Sequence, residues 1–458
     1  MAPGEEGYFS RVFLVPKKSG GYRLVIDLSQ LNKSLAQIPF SMDTLHLVKL
    51  ALKQGMWATS LDLSDAYHHI PMRPSSQVYL CFQVGVRYKY LVLPFGLSSG
   101  PWLFTEVVRQ VKKWAWKKDF ALFQYLDDWL NLDLDKGRLH ESTQRLVTTC
   151  QGLGLLVNIQ KSELVPQQVI VFLGEKLDLI RGKAFATEER QIKVRKAVEA
   201  MVSCDHVSLP QAESLLGLLV ATYPTVPWGR LHLRRLQAAT IKALRKGRAL
   251  HPQVKVTESM RCHLKFWLQR EVWIPGVPFH PVEAKVTLFT DASLQGWGVV
   301  CNGRTYEGRW PEHMHQHINW YELKAVLIAL TIFQFQCRNK SVLCMIDNST
   351  AVAYVNRQGG TRSKPLMELM LEVGQVARSM NCTLKAKHIA GKANVLADLA
   401  SRAEQVIPSE WKLSPEAFEW VCNQSPWGKP GLELFANSMN HHLDKYVSPC
   451  PDPKACQA

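Results

Sequence analysis

The chain has 458 residues, 47% of them hydrophobic and 21% charged, an ordinary balance for a folded protein of about two to four domains. It carries 55 Lys and Arg against 39 Asp and Glu, a formal charge of +16, and that surplus favours a polyanionic partner because neutralised phosphates release counterions. No run reaches the roughly 20 apolar residues of a membrane span, and MAPGEEGYFS lacks the basic-then-apolar order of a signal peptide. Eleven cysteines stand singly with no CxxC pair, which argues against a disulfide framework or zinc finger and for reduced thiols. The expectation is an intracellular protein, in cytoplasm or nucleus, with no membrane partner.

Residues 8–135 read as mixed strands and helices with hairpin signals. WATSLDLSDAYHHI is a β-rich run that places Asp62 near a strand end, then breaks into a helix. KKWAWKK, at 112–118, interleaves bases and aromatics, which suits either nucleic acid or one face of an amphipathic helix. FALFQYLDDWLNL sets two adjacent acids between apolar runs, the shape of a hairpin whose tight turn presents Asp127 and Asp128. A helix over about Lys136–Leu153 follows, then short strands around VIVFLGEKLDLI. From Thr187 to about Arg270 the pattern is helical, Leu-rich and basic. The Pro-marked WIPGVPFHPVEA is the best boundary in the chain. Beyond it, KVTLFTDAS, GWGVVC and RTYEGRW predict three strands. Helix, strand, two helices, strand and helix follow to about Arg402. Residues 404–458 are rich in Pro and Asn, and no core can be assigned to them from the pattern.

Two sets of acids carry the chemistry. Carboxylates held close together repel, which raises their pKa unless a cation lies between them. Paired divalent ions remove the conflict and suit in-line phosphoryl transfer. The plainer alternative for Asp127 and Asp128 is turn chemistry alone. The second set is Asp291 and Asp347 at strand ends, Glu322 early in a helix and Asp398 in the last helix. Acids at the carboxyl ends of neighbouring strands converge on one crevice in open α/β sheets. Singly, each also has a bland role as a turn, helix-terminal or surface acid.

The order of motifs adds to this. YLDD resembles the YxDD box of reverse transcriptases, and LDLSDAYHHI resembles their first carboxylate motif. RVFLVPKKSGGYRLVIDLSQLN looks like their fingers strands, LVLPFGLSSGPWLFTEV like the segment beneath the incoming nucleotide, and VIVFLGEKLDL like the primer grip. The resemblance implies an α+β and α/β multidomain chain: right-hand fingers and palm over 1–186, a helical thumb or connection over 187–280, an RNase H-like domain over 281–403, and a tail, 404–458, leading to further domains. It implies Mg²⁺, or Mn²⁺, two ions per site, with RNA template, DNA primer, RNA–DNA hybrid and dNTPs as partners. Asp62 and Asp127 would bind metal, with Asp128 in support. Leu63, Ser64, Asp65 and Ala66 would border the triphosphate, with Lys17 and Arg23 as its cationic clamp. Tyr67 would be the steric gate, over a simple core tyrosine. Phe95 stands where some relatives have Gln, and Tyr125, Leu126, Leu173 and Gly174 would meet primer and template.

In the same way Asp291, Glu322, Asp347 and Asp398 resemble the D-E-D-D site of ribonuclease H, whose metal-binding set they would form. Asn348, Ser349 and Asn356 would lie beside the hybrid. HIAGKANVLAD has a shortened loop, so His388 is not placed securely where many ribonucleases H carry a histidine. GYFSRVFLVPKKSGG, HINWYELKAV, HIAGKANVLADLASR and ELFANSMNHHLDKYVSPCPDPKA look closest to DIRS-type retrotransposons, with gypsy-type or pararetroviral polymerases as rivals. The expectation is a polyprotein piece with other domains of the same element as partners. The alternative is an inactive, nucleic-acid-binding remnant.

Overall fold

The computed structural model describes residues 6–16, 21–246, 252–311, 313–390 and 394–401, and beyond these 413–424, 428–434, 436, 440–448, 452 and 455–456. The chain divides into two units, Met1–Val282 and Glu283–Ala458.

In the first unit an antiparallel sheet runs in the order Ala121–Tyr125, Asp128–Asp133, Trp57–Asp62, Glu163–Gln167. Side chains alternate across a strand, so each inner strand feeds two cores. Leu61 and Trp129 pack with Phe104, Val108 and Leu146 from the helices Gly100–Trp116 and Lys136–Gly152. Ala58, Leu130 and Leu132 face the other way, against Val48, Ile170 and Leu177. That burial on both faces explains why DWLNLD reads as nearly continuous rather than alternating.

KKWAWKK falls at the end of the helix Gly100–Trp116, and much of it serves the fold. Lys112 pairs with Asp43 and lies over the Trp116 ring. The Trp116 indole donates to the Leu122 carbonyl, and Trp114 meets Phe120 edge to face.

A second sheet runs Val277–Pro278, Lys183–Ala186, Glu175–Asp178, Val169–Phe172. Its tight hairpin is closed by Leu173 and Gly174, with φ of 47° and 75°, the two positive values a type I′ turn needs. Buried Glu175 pairs with Lys49 at 2.5 Å, tying the hairpin to the helix Leu45–Ala51. WIPGVPFHPVEA contains a short strand, Val277–Pro278, as well as the division between the units after Val282. Its first half pairs with Lys183 and Ala184, and Phe279 is buried in the same core.

Four longer helices, Glu188–Val202, Leu209–Thr222, Gly229–Lys246 and Glu258–Lys265, gather Val194, Val198, Leu219, Leu236, Leu264 and Trp267 into a separate core. Thr187, Ser208 and Thr257 cap three of them, satisfying amides that a helix start leaves open.

The second unit holds a five-stranded sheet in the order Arg304–Arg309, Gly296–Cys301, Val286–Ala292, Ser341–Ile346, Thr383–His388. The first three strands are antiparallel and the last three parallel. The helix Ile318–Ile332 is apolar almost all round and correspondingly buried. The tail holds more than its composition suggested. A helix spans Pro415–Gln424, and Glu433–Leu434 pairs in parallel with Tyr446–Val447 around buried Tyr446. Among the described residues no helix is long and apolar enough to cross a membrane.

Gly174 gives a test of the hairpin. A Cβ there would lie 2.2 Å from the Arg190 guanidinium, on a backbone of positive φ. Gly174→Ala is expected to lower stability by about 1–3 kcal/mol in denaturant titration; an unchanged midpoint would refute the turn geometry.

Candidate active sites

In the first unit Asp62 and Asp128 are register partners on adjacent strands. Between Tyr125 and Asp128 the hairpin turn is only Leu126 and Asp127. Leu126 takes φ 53°, a left-handed conformation uncommon for a side chain of this size. Two bonds hold the turn there. The Trp129 indole donates to the Leu126 carbonyl at 2.9 Å, and the Leu63 amide donates to the Asp127 carbonyl at 3.0 Å. The Asp62 backbone is held in turn by Ser162 and Asn158, at 3.0 and 2.8 Å.

The electrostatics follow from that crowding. Burial raises the Asp62 carboxyl above its usual range; Lys161 opposes the shift and Asp127 adds to it. Burial, then Asp127 and Asp62, push Asp128 up to about 6, again against Lys161. Among the described residues these three carboxylates do not come within 4.8 Å of one another as a group.

Beside them, Asp65 (φ 49°) opens the short helix Ala66–His69. Ala66 and Tyr67 are buried, with the Tyr67 ring 4.8 Å from Phe95 and 5.5 Å from Phe104. Burial first, then Asp127 and Tyr125, push the Tyr67 hydroxyl up to about 12, so it stays protonated. The amides of Leu63 and Ser64 are both engaged internally, the latter by the Leu156 carbonyl at 2.8 Å. Any border they make to a ligand is therefore not through free N–H groups. Lys17 lies outside the described residues, as does the Arg23 side chain; the Arg23 backbone pairs opposite Val15.

The second cluster is tighter. Asp291 lies in the strand Val286–Ala292, and Asp347 follows the neighbouring parallel strand Ser341–Ile346. Glu322 comes from the helix Ile318–Ile332. One carboxylate oxygen from each lies within 4.8 Å of the others. Asp291 and Glu322 are each 4% exposed. Burial, then the charges of Asp347 and Asp291, push Glu322 up to about 10. Its Oε2 is buried with no hydrogen-bond partner. Three converging acids with an orphaned oxygen fit a divalent cation.

Asp398, in the helix Val395–Ser401, is not part of this group. The same helix instead sends the Ser401 hydroxyl to Asp291 Oδ2. His388 donates from Nε2 to the Asp347 carbonyl at 2.9 Å. Asn348 caps the helix Ser349–Asn356 and donates to Asn319 at 2.8 Å. Asn356 uses both ends of its amide on Ala386 of the edge strand, at 2.7 and 2.9 Å.

Residues 15–177 match the family described as "Reverse transcriptase (RNA-dependent DNA polymerase)". Over that stretch the chain is similar to reverse transcriptase domains. Relatives include Protein P of duck hepatitis B virus (strain China), 28% identical over 243 residues, 47% of this chain and 30% of that protein. Polyprotein P3 of Commelina yellow mottle virus is 21% identical over 453 residues, 91% of this chain and 22% of that protein. The Pol polyprotein from the Drosophila melanogaster transposon opus is 26% identical over 180 residues, 38% of this chain and 18% of that protein. The chain thus spans less than a third of these relatives. A foamy viral protease-reverse transcriptase in complex with double-stranded DNA shares the fold, with TM-score 0.52 and 17% identity over 83% of this chain and 65% of that one. The same type of protein in complex with an RNA/DNA hybrid aligns at TM-score 0.51 and 16% identity, over 91% of this chain and 54% of that one.

The domain-length stretch that matches the family encloses Asp62, Asp127, Asp128, Leu173 and Gly174; the cluster of Asp291, Glu322 and Asp347 lies beyond it. Lys161, whose charge acts on Asp62 and Asp128, is in that stretch and carried no motif signal. Only its return beside the acids gives it a role.

Glu322 yields a pH-linked prediction. With its folded pKa near 10, the metal-free native state holds a proton that the unfolded chain gives up above about 4.5, so Glu322 costs stability increasingly as pH rises through that window. Cation binding must expel the proton. Calorimetric Mg²⁺ titration at pH 7.5 in two buffers is expected to show about one more proton released by the parent than by Glu322→Gln. Equal release would remove Glu322 as the source.

Proposed function

We propose that the chain is an RNA-directed DNA polymerase with a second, ribonuclease H-type site, working on retroelement RNA. The observation that carries the first half is the register pairing of Asp62 with Asp128 beside the Asp127 turn, inside the span that matches the reverse transcriptase family. Asp62 and Asp127 would hold Mg²⁺ (or Mn²⁺), with Asp128 in support. Ions held there would supply charge neutralisation and Lewis acidity suited to phosphoryl transfer. The protein's own part is positioning. Trp129 and Leu63 lock the turn that aims Asp127, and the Tyr67 ring, backed by Phe95 and Phe104, would act as the gate against a 2′ hydroxyl. Tyr125, Leu126, Leu173 and Gly174 would face primer and template, and the helical stretch within 187–280 would serve as thumb.

For the second half the support is the convergence of Asp291, Glu322 and Asp347 on a sheet of three antiparallel and three parallel-paired strands sharing a centre. That arrangement suits an RNase H-like domain over 281–403, with Asp398 completing the set when hybrid and ions are bound. The foamy viral neighbours were captured on double-stranded DNA and RNA/DNA hybrid, which supports nucleic acid of that kind as partner here. Among retroelements, the DIRS-type phrases make that class our preferred assignment.

Asp127→Asn is expected to abolish dTTP incorporation on poly(rA)·oligo(dT) with Mg²⁺, by at least about 10³-fold. Template binding without incorporation by folded parent protein would overturn the polymerase reading. Asp347→Asn should stop cleavage of the RNA strand in a hybrid and leave incorporation nearly intact, since the two sets of acids share no residue and would hold separate ions. Joint loss of both activities would rule out two centres.

A further inference from the structure

The helix Val395–Ser401 lies unusually close to the sheet beneath it. A Cβ on Gly298 would sit 2.3 Å from the Ala397 carbonyl and 2.6 Å from the Ala400 Cβ; one on Gly296 would sit 3.0 Å from the Ser401 carbonyl. The two glycines of GWGVVC therefore let helix backbone rest directly on strand backbone. Hydrogen bonds fasten the helix at both ends. At its start Asn394, 2% exposed, donates to the Thr290 carbonyl at 3.0 Å. At its end Ser293 donates to the Ser401 carbonyl at 3.0 Å. Ser401, 3% exposed, then brings its hydroxyl to Asp291 Oδ2, with the Asp398 carbonyl one turn back as a longer second acceptor at 3.0 Å.

We propose that Ser401 is a positioning residue of the three-acid centre, holding Asp291 Oδ2 so that the carboxylate keeps the orientation in which it meets Glu322 and Asp347. The inference rests on the reading of those acids as a divalent-metal site. The chemistry is direct. A carboxylate turns about its Cβ–Cγ bond, which has only a broad two-fold preference. Its neighbours here include two more acids, Glu322 and Asp347. A buried hydroxyl donor both orients the group and favours its ionised form. Hydrogen-bond partners of metal-binding carboxylates matter to metal affinity for these reasons. The close glycine contact is what brings the donor within reach, so the GWG strand and the Ser401 hydroxyl form one device.

The test uses Mn²⁺ as probe, with free Mn²⁺ read by electron paramagnetic resonance. The parent is the full chain carrying Asp62→Asn and Asp127→Asn, so that binding reports the second centre. Adding Asp291→Asn to this parent should remove the bound ion; if it changes nothing, the metal-centre reading itself fails. Given binding by the parent, Ser401→Ala and Ser401→Cys are each expected to weaken Mn²⁺ affinity by about tenfold. Cysteine keeps the side-chain size but is a poor donor. Parent-like affinity in Ser401→Cys overturns the proposal, whatever alanine does, because packing alone then explains the contact. Should Ser401→Ala melt below the assay temperature, the cysteine variant decides alone.

Discussion

Mutual repulsion among carboxylates is the constraint to which both halves of this protein answer. Two like charges about 4 Å apart repel by about 4 kcal/mol at an effective dielectric near 20, and burial adds a desolvation cost to each. A fold that collects such groups must impose the closeness through backbone. The first unit does so with antiparallel register, setting Asp62 opposite Asp128 and pinning the Asp127 turn with Trp129 and Leu63. The second does so with adjacent parallel strands and one buried helix.

The two clusters relieve the strain differently. Around Asp62 and Asp128 a cation from the protein itself, Lys161, offsets part of the repulsion, and Asp128 rises only to about 6. The charges acting on Glu322 are both negative, and it reaches about 10. The first centre is thus near ionisation at neutral pH, whereas the second keeps a proton until something more positive displaces it. Solvent access accounts for the rest: Asp62 and Asp128 are half-buried, while Asp291 and Glu322 are nearly sealed.

Much of this was legible in the residues. An acid that interrupts an apolar strand stands out, but Asp127 and Asp128 read equally as turn residues and Asp291 and Asp347 as turn or helix-capping acids; it was the order of the motifs, not position alone, that singled them out. What escaped depends on partners far away in the chain. Ser401 looks like an ordinary residue near the end of a helix until two glycines about a hundred positions earlier draw that helix onto the sheet. Lys161 is one lysine among many until Asn158 and Ser162 bring its segment back to Asp62. The amides of Leu63 and Ser64 could be matched to a motif, but their internal acceptors come only with register. In WIPGVPFHPVEA proline marks connectors and edge strands alike, so the short edge strand Val277–Pro278 inside that boundary stretch was not legible there.

That edge strand has a consequence for how the polypeptide matures. Lys183–Ala186 is left with an open flank until residues 277 and 278 have been made, about ninety positions later. During synthesis the intervening helices must emerge while a sheet bearing the tight 173–174 turn still lacks its last partner. An unpaired flank of this kind is a template for pairing with other chains. A fragment cut at the end of the helical stretch would keep the flank permanently open, so bacterial expression of a piece ending near residue 270 invites aggregates, whereas one carried past His280 closes its own border.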